Sequence, residues 1–448
     1  MPSNINPTPD ENDIPISILA RWQYYITALI RLFSGRGAQE GYLAAVDQAV
    51  ISLSNFLATI ILARNVDPTQ LGVYGVGFVT LRLVRSIQEG LIIQPLNVHG
   101  ANMEEASFKR YATSTSILQI GLATSTAFVV AACGWVLTKM GNDTAGPTLF
   151  YLWFAFLGWQ LQEYVRRILY TRGHVFNAVV NTLLANGVRL ALMLWWAQLG
   201  TLDGIAGLDA IAWGAIVALI PGLWFTRSFW TRHFDSLKDT WIRNWGFGRW
   251  VMGGTVANWI SVEFYPILTA GMISFAAAGA YRALQNIVAP VHMILRATDT
   301  FLTPRTTRVF DQEGEHALAR TMRLVYVLAG IPTAVFLTLA VLFPGRLLYL
   351  LYGTTYLAYS NGMVLMAGFY ALWFAYWPLQ SALKAARVTR PIFVANLIAT
   401  ALMFTVGIWM IYTWGVYGTI AGQALNALAV NIVLWSTWIL FRRSRKKE

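Results

Sequence analysis

Residues 71–93 read LGVYGVGFVTLRLVRSIQEGLII. The run is long enough to cross a hydrocarbon core, which takes about 20 helical residues for about 30 Å. Its charged residues, Arg82, Arg85 and Glu89, fall at i, i+3 and i+7 and so share one helical face, while the remaining surface is mostly apolar. An arginine at the centre of a span costs about 2.5–3.5 kcal/mol on insertion scales, so that face must turn toward a wet cavity or a partner. The stretch predicts a bundle of membrane helices around a polar interior.

The rest of the chain repeats the pattern. Apolar runs at 42–63, 71–93, 113–138, 148–170, 176–199 and 205–226 form one set. Runs at 250–273, 276–303, 322–343, 361–383, 391–412 and 416–441 form a second. The expected fold class is an all-α polytopic membrane protein with about 12 transmembrane helices in two six-helix lobes. Composition agrees: 56% hydrophobic residues, 19 Trp and only 12% charged residues give a soluble domain more apolar surface than it can bury. The spans leave no room for a soluble catalytic domain. Cys133 is the only cysteine, which excludes a disulfide framework. His174, His292 and His316 lack metal spacing, and there is no HExxH, Walker loop or CxxC, so neither a metal nor a cofactor is expected.

The net charge of +12 is distributed unevenly. With the amino terminus inside, the outward connections carry only Arg64, Lys139 and Arg346, while most other basic residues lie in inward connections and tails, ending in RRSRKKE at 442–448. The charge is therefore read as topology, with both termini cytoplasmic, and not as a nucleic-acid signal. Residues 1–41 read as a cytoplasmic tail without a secretory leader, its stretch 14–33 forming an interfacial helix interrupted by Arg21 and Arg31. An N-lobe then covers 42–226, and a linker at 227–249 interleaves basic residues with Trp230, Phe234, Trp241 and Trp245 at headgroup level. A C-lobe covers 250–441, and 442–448 is a basic tail.

The two sets resemble each other. Arg172, Asn181 and Ile205-Ala206-Gly207 recur at one offset as Arg387, Asn396 and Ile420-Ala421-Gly422. An even number of spans per repeat makes the halves parallel, related by an axis along the membrane normal, with substrate between them.

With Arg166, Arg167 and Arg323 at span ends counted among the inward connections, five arginines fall inside spans: Arg82, Arg85, Arg189, Arg282 and Arg296. Arg82, Arg85 and Arg189, near mid-span, together cost on the order of 8–10 kcal/mol, comparable to a whole domain's stability of about 5–15 kcal/mol. In the eighth span Arg282, Gln285, His292, Arg296 and Asp299 line a stripe like that of the second. One reading is a cavity for an anionic headgroup, because guanidinium forks match phosphate oxygens bidentately. The other is a set of interhelical ion pairs, such as Arg85 with Glu89 or Arg296 with Asp299. Asp47, Glu89, Glu263 and Asp299 are candidates for proton or sodium coupling, since intramembrane carboxylates often relay ions.

Residues 45–78 read AVDQAVISLSNFLATIILARNVDPTQLGVYGVGF, with Asn55-Phe56, Leu62-Ala63-Arg64, Asp67-Pro68 and Gly72-Val73-Tyr74 in order. GAYRALQNIVAP at 279–290, Thr303-Pro304-Arg305, RVTRPIFVANLIAT at 387–400 and GVYGTIAGQALNALA at 415–429 follow. In this order and spacing the chain resembles the Wzx-like polysaccharide and O-antigen flippases of the multidrug/oligosaccharidyl-lipid/polysaccharide (MOP) superfamily. The resemblance implies alternating access by two lobes in the bacterial inner membrane. It also implies transfer of undecaprenyl-diphosphate-linked oligosaccharide to the periplasmic leaflet, driven by a proton or sodium gradient. A monomer is the expected unit, with membrane lipids and polysaccharide polymerase or chain-length machinery as candidate partners. Two other readings stay open. A drug or cation antiporter of the MATE type shares the architecture and predicts a cavity dominated by acids such as Asp47 and Glu263. A membrane-embedded polymerase or ligase is disfavoured by short outward loops without an acidic cluster or His pair.

Overall fold

The computed structural model describes residues 36–101 and 103–445, with side chains left out at 36–40, 257, 258, 261, 296–305, 307, 308, 313, 444 and 445. The interfacial helix expected at 14–33 lies outside the described residues, as does the end of the basic tail. All regular secondary structure among the described residues is helical. The helices are α1 (Arg36–Asn65), α2 (Pro68–Gln88), α3 (Gln94–Gly100), α4 (Glu105–Lys139), α5 (Ala145–Thr171), α6 (Val175–Gln198) and α7 (Gly204–Thr226). After a connection come α8 (Leu237–Glu263), α9 (Tyr265–Met272), α10 (Phe275–Ile287), α11 (Ala289–Leu342), α12 (Pro344–Tyr352) and α13 (Gly362–Ala385). The chain ends with α14 (Arg390–Leu402), α15 (Ile408–Trp414) and α16 (Val416–Arg445). Eight of the described helical segments are long and apolar enough to cross a membrane.

Every apolar run read from the sequence is helical, and the exceptions to regularity have local causes. The run 71–93 continues from α2 into a π-helical turn, Glu89–Ile93, and on into α3. The run 250–273 breaks at Phe264, because Pro266 lacks an N–H and its ring crowds the preceding turn. Run 276–303 is interrupted at Val288, ahead of Pro290, and its second part meets run 322–343 across a kink at Gly314, whose φ of 76° is a backbone state that costs glycine little. The run 391–412 also passes through a π-helical turn, Met403–Gly407.

Turn chemistry sets the helix starts. Asp67 Oδ1 accepts from Thr69 N at 2.7 Å and Gln70 N at 3.2 Å, with Pro68 opening α2. Asp203 caps α7 through Ala206 N at 2.7 Å, and Ser274 caps α10 through Ala277 N at 3.1 Å.

Helices α4 to α7 pack on one another with α1 against α6, and α11, α13, α14 and α16 form a second group. Between the groups, α2 leans on α10 at its start and on α8 at its end. The repeat is visible in place: Arg172 ends α5 and Arg387 ends the turn before α14, while Gly207 packs against Tyr74 and Gly422 against Tyr265. Asn181 binds Gln162 at 2.6 Å and the Ala218 carbonyl at 2.5 Å, tying three helices together. Such bonds matter here because helices in lipid gain little from apolar contact alone.

Candidate functional site

A cavity of about 810 Å³ lies between the two groups. Its walls come from the middle of α1, α6 and α7, the second half of α2 and of α5, Thr255 of α8, and the α10–α11 junction. At the start of α2 and of α10, away from the cavity, Gly72 and Gly279 cross so tightly that a Cβ on either would stand 1.8 Å from the Phe275 carbonyl oxygen or 2.0 Å from that of Pro68. Arg64 adds hydrogen bonds to the carbonyls of Leu350 and Leu351 at the end of α12, at 2.5 and 2.7 Å.

Arg82, Arg85, Arg189, Arg282, Gln285 and His292 line this cavity, together with Glu89. Asp47 and Glu263 stand behind the wall, each bonded to a lining arginine. The side chains of Arg296 and Asp299 lie outside those described.

The charges divide into a neutralised cluster and two exceptions. Glu163 is buried and binds Arg85 at 3.0 Å, Arg166 at 2.8 Å and Arg167 at 2.8 Å. Arg166 also pairs with Asp47, whose carboxylate accepts from Tyr170 at 2.7 Å. Arg167 approaches Glu89 at 3.8 Å, and Gln94 donates to Glu89 at 2.8 Å. Arg82 binds Glu263 on α8 at 2.8 Å. Within this set each arginine has a carboxylate, as burial at membrane depth requires. The alternative partner named from sequence for Arg85 was Glu89, one turn on. The structure pairs Arg85 with Glu163 instead, because Glu89 opens a π-helical turn whose extra residue re-aims it toward Gln94 and Arg167.

Arg189 and Arg282 make no ion pair with any carboxylate among the described residues. Arg189 is 5% exposed and donates to Asn55 Oδ1 at 2.8 Å and to the Tyr74 hydroxyl. Arg282 donates to Gln285 Oε1 at 3.0 Å. In both, Nε is buried without a hydrogen-bond partner among the described residues. Both guanidiniums lie over the Phe78 ring, 6.0 and 5.2 Å from its centroid, one from each half of the chain. His292 sits apart, its Nε2 2.6 Å from the Tyr370 hydroxyl and its ring 4.2 Å from that of Trp373.

The sequence reading missed Arg166 and Arg167 as wall residues, and Phe78 and Asn55 as partners of the arginines. Arg166 and Arg167 close a predicted span and look like topology charges. The available signal was Glu163 three and four residues before them, a spacing that puts all three on one helical face.

Solved structures share this fold. A multidrug resistance MATE family transporter of the MOP superfamily, in its inward-facing conformation, matches with a TM-score of 0.72 at 16% identity over 90% of this chain and 99% of that one. An outward-facing MATE transporter matches at 0.62, with 14% identity over 91% and 95% of the two chains. A MOP superfamily transporter from Pyrococcus furiosus Vc1, described by a binding pocket of reverse polarity that suggests a different function, matches at 0.63, with 15% identity over 91% and 95%. No protein-family model matches the chain, and no curated protein does either. The chain is thus an all-helical membrane protein with the fold of MOP superfamily transporters. At these identities the likeness shows the fold alone.

Proposed function

We propose that this chain is a flippase for an anionic lipid-linked substrate, moving undecaprenyl-diphosphate-linked oligosaccharide from the cytoplasmic to the periplasmic leaflet for polysaccharide biosynthesis. The observation that carries the reading is the pair of guanidiniums, Arg189 and Arg282, that have no carboxylate partner among the described residues and reach the Phe78 ring from the two halves of the chain. A buried Arg189 and a half-buried Arg282, neither with a counter-charge among the described residues, are costly unless an anion joins them, and a diphosphate offers both charge and a match to the guanidinium forks. An anion held from both sides suits alternating access, since it contacts both moving halves at once. The sugar would occupy the wet cavity and the polyprenyl tail would stay in the bilayer.

The fold likeness supports a drug or cation antiporter equally well, so the cavity's charge is what discriminates. A cation site needs a free carboxylate. Here Asp47, Glu89, Glu163 and Glu263 are each engaged by an arginine. The pathway setting is the bacterial inner membrane with both termini cytoplasmic, a proton or sodium gradient as driving force, and a monomer as working unit. Vesicles holding the purified chain and a fluorescent undecaprenyl-diphosphate saccharide test the reading directly. Accelerated loss of the fluorophore from one leaflet, abolished by Arg189→Gln or Arg282→Gln, is the expected result. Equal rates with empty vesicles, alongside export of organic cations, would overturn it.

A further inference from the structure

Pro266 leaves the carbonyl of Val262 without its helical donor, since residue i+4 has no N–H. The side chain of Gln423, on α16, fills the place: its Nε2 donates to Val262 O at 3.0 Å. Gln423 is itself the end of a chain of bonds. Arg282 Nη1 donates to Gln285 Oε1 at 3.0 Å, Gln285 Nε2 donates to the Tyr281 hydroxyl at 3.1 Å, and that hydroxyl donates to Gln423 Oε1 at 2.7 Å. All four donors point the same way, from the cavity wall to the break between α8 and α9, an arrangement in which each bond polarises the next. The residue after Val262 is Glu263, which holds Arg82 of α2 at 2.8 Å. Two cavity arginines, one from each half of the chain, therefore converge on a single helix break.

We propose that Gln423 is a positioning residue that sets the α8–α9 break in register with Arg282, so that what the cavity arginines hold determines how the two halves stand. The inference rests on the anion reading for its ligand. A phosphate that takes donors from Arg282 and Arg82 competes with Gln285 and Glu263. Loss of the Glu263 contact removes the ion pair between α2 and α8, leaving the Thr255 bond to the Ser86 carbonyl, and loss of the Gln285 contact relaxes the bond chain that supports the break. Binding is thereby converted into movement at a proline-broken helix, a usual place for a membrane helix to bend.

The test uses the full chain in vesicles, with and without undecaprenyl diphosphate. Spin labels at Cys133, which is exposed on α4, and at an added cysteine, Leu342→Cys, report the distance between the halves. In wild type one distance should dominate without the lipid and a second should grow when it is added. Gln423→Met keeps the side chain's length but removes both bonds. It should mix the two distances in the ligand-free protein and cut the lipid-dependent shift at least threefold, while the lipid's Kd stays within threefold. Gln285→Met, which breaks the chain earlier and leaves the Val262 cap intact, should cut the shift without mixing the ligand-free distances. Pro266→Ala restores the missing N–H, so Gln423→Met in that background should have less than half its effect. The proposal is overturned if Gln423→Met leaves the ligand-free distances as in wild type, or if the Pro266→Ala and Gln423→Met effects simply add. Failure of the wild type to bind undecaprenyl diphosphate would sink the anion reading alone, and the ligand-free distances would still decide the role of Gln423.

Discussion

Gly72 of α2 lies so close to Phe275 of α10 that a Cβ on the glycine would stand 1.8 Å from the Phe275 carbonyl oxygen. The two halves of the chain thus meet backbone to backbone at the end opposite the cavity. Glycine at 72, and at 279 against the Pro68 carbonyl, allows such an approach because it has no Cβ.

Gly72→Ala should force that seal apart. Overpacking costs about 1–3 kcal/mol, which corresponds to roughly a 5–150-fold change in the balance between two conformations. Labelling of cysteines placed along α2 and α10 with a membrane-impermeant reagent should become faster from the sealed side. Labelling rates equal to those of the parent would show that the contact does not hold the closed end.

Arg189→Gln should weaken binding of a diphosphate lipid by about 10–150-fold, the equivalent of the roughly 1.5–3 kcal/mol carried by a hydrogen bond to a charged group. Arg189→Lys should rescue little, because an ammonium cannot reach Asn55, the Tyr74 hydroxyl and a phosphate with one planar fork. Equilibrium binding at low and high salt checks both, and the wild-type affinity should fall as ionic strength rises.

Glu163→Gln should act on stability first. It removes the carboxylate shared by Arg85, Arg166 and Arg167, and breaking a buried pair from one side costs about 3–5 kcal/mol. The melting temperature in detergent should drop by several degrees. Asp47→Asn should do the same through Arg166. A variant that melts like the parent yet fails to transport would assign the carboxylate to ion coupling instead.

His99 gives a dependence on pH outside the spans. Burial, then the nearby Arg243, holds its pKa below the ordinary 6.5, and its Nε2 has no hydrogen-bond partner among the described residues. The unfolded chain therefore binds its proton more readily, so stability conferred by neutral His99 is present above about pH 6.5 and is lost as pH falls toward the lower folded value. His99→Gln should flatten the melting temperature between pH 7 and pH 5. An unchanged slope would place the dependence elsewhere.

The helices of this protein and their polar stripes are local properties, and the sequence determined them. Lipid demands long apolar runs whose backbone bonds close within the run, and the few charges that interrupt them fall at spacings that name a face. Arg82, Arg85 and Arg189 could be placed at membrane depth from the sequence for that reason. Even the repeat of Arg172 and Asn181 as Arg387 and Asn396 was visible as spacing. Which charge meets which was not visible, because partners such as Arg85 and Glu163 or Arg82 and Glu263 lie far apart in the chain, and a π-helical turn redirects Glu89. Only the tertiary structure separated arginines balanced by carboxylates from Arg189 and Arg282, which face Phe78 without one among the described residues. Charge compensation is a sum over neighbours in space, and the packing of the two halves decides it.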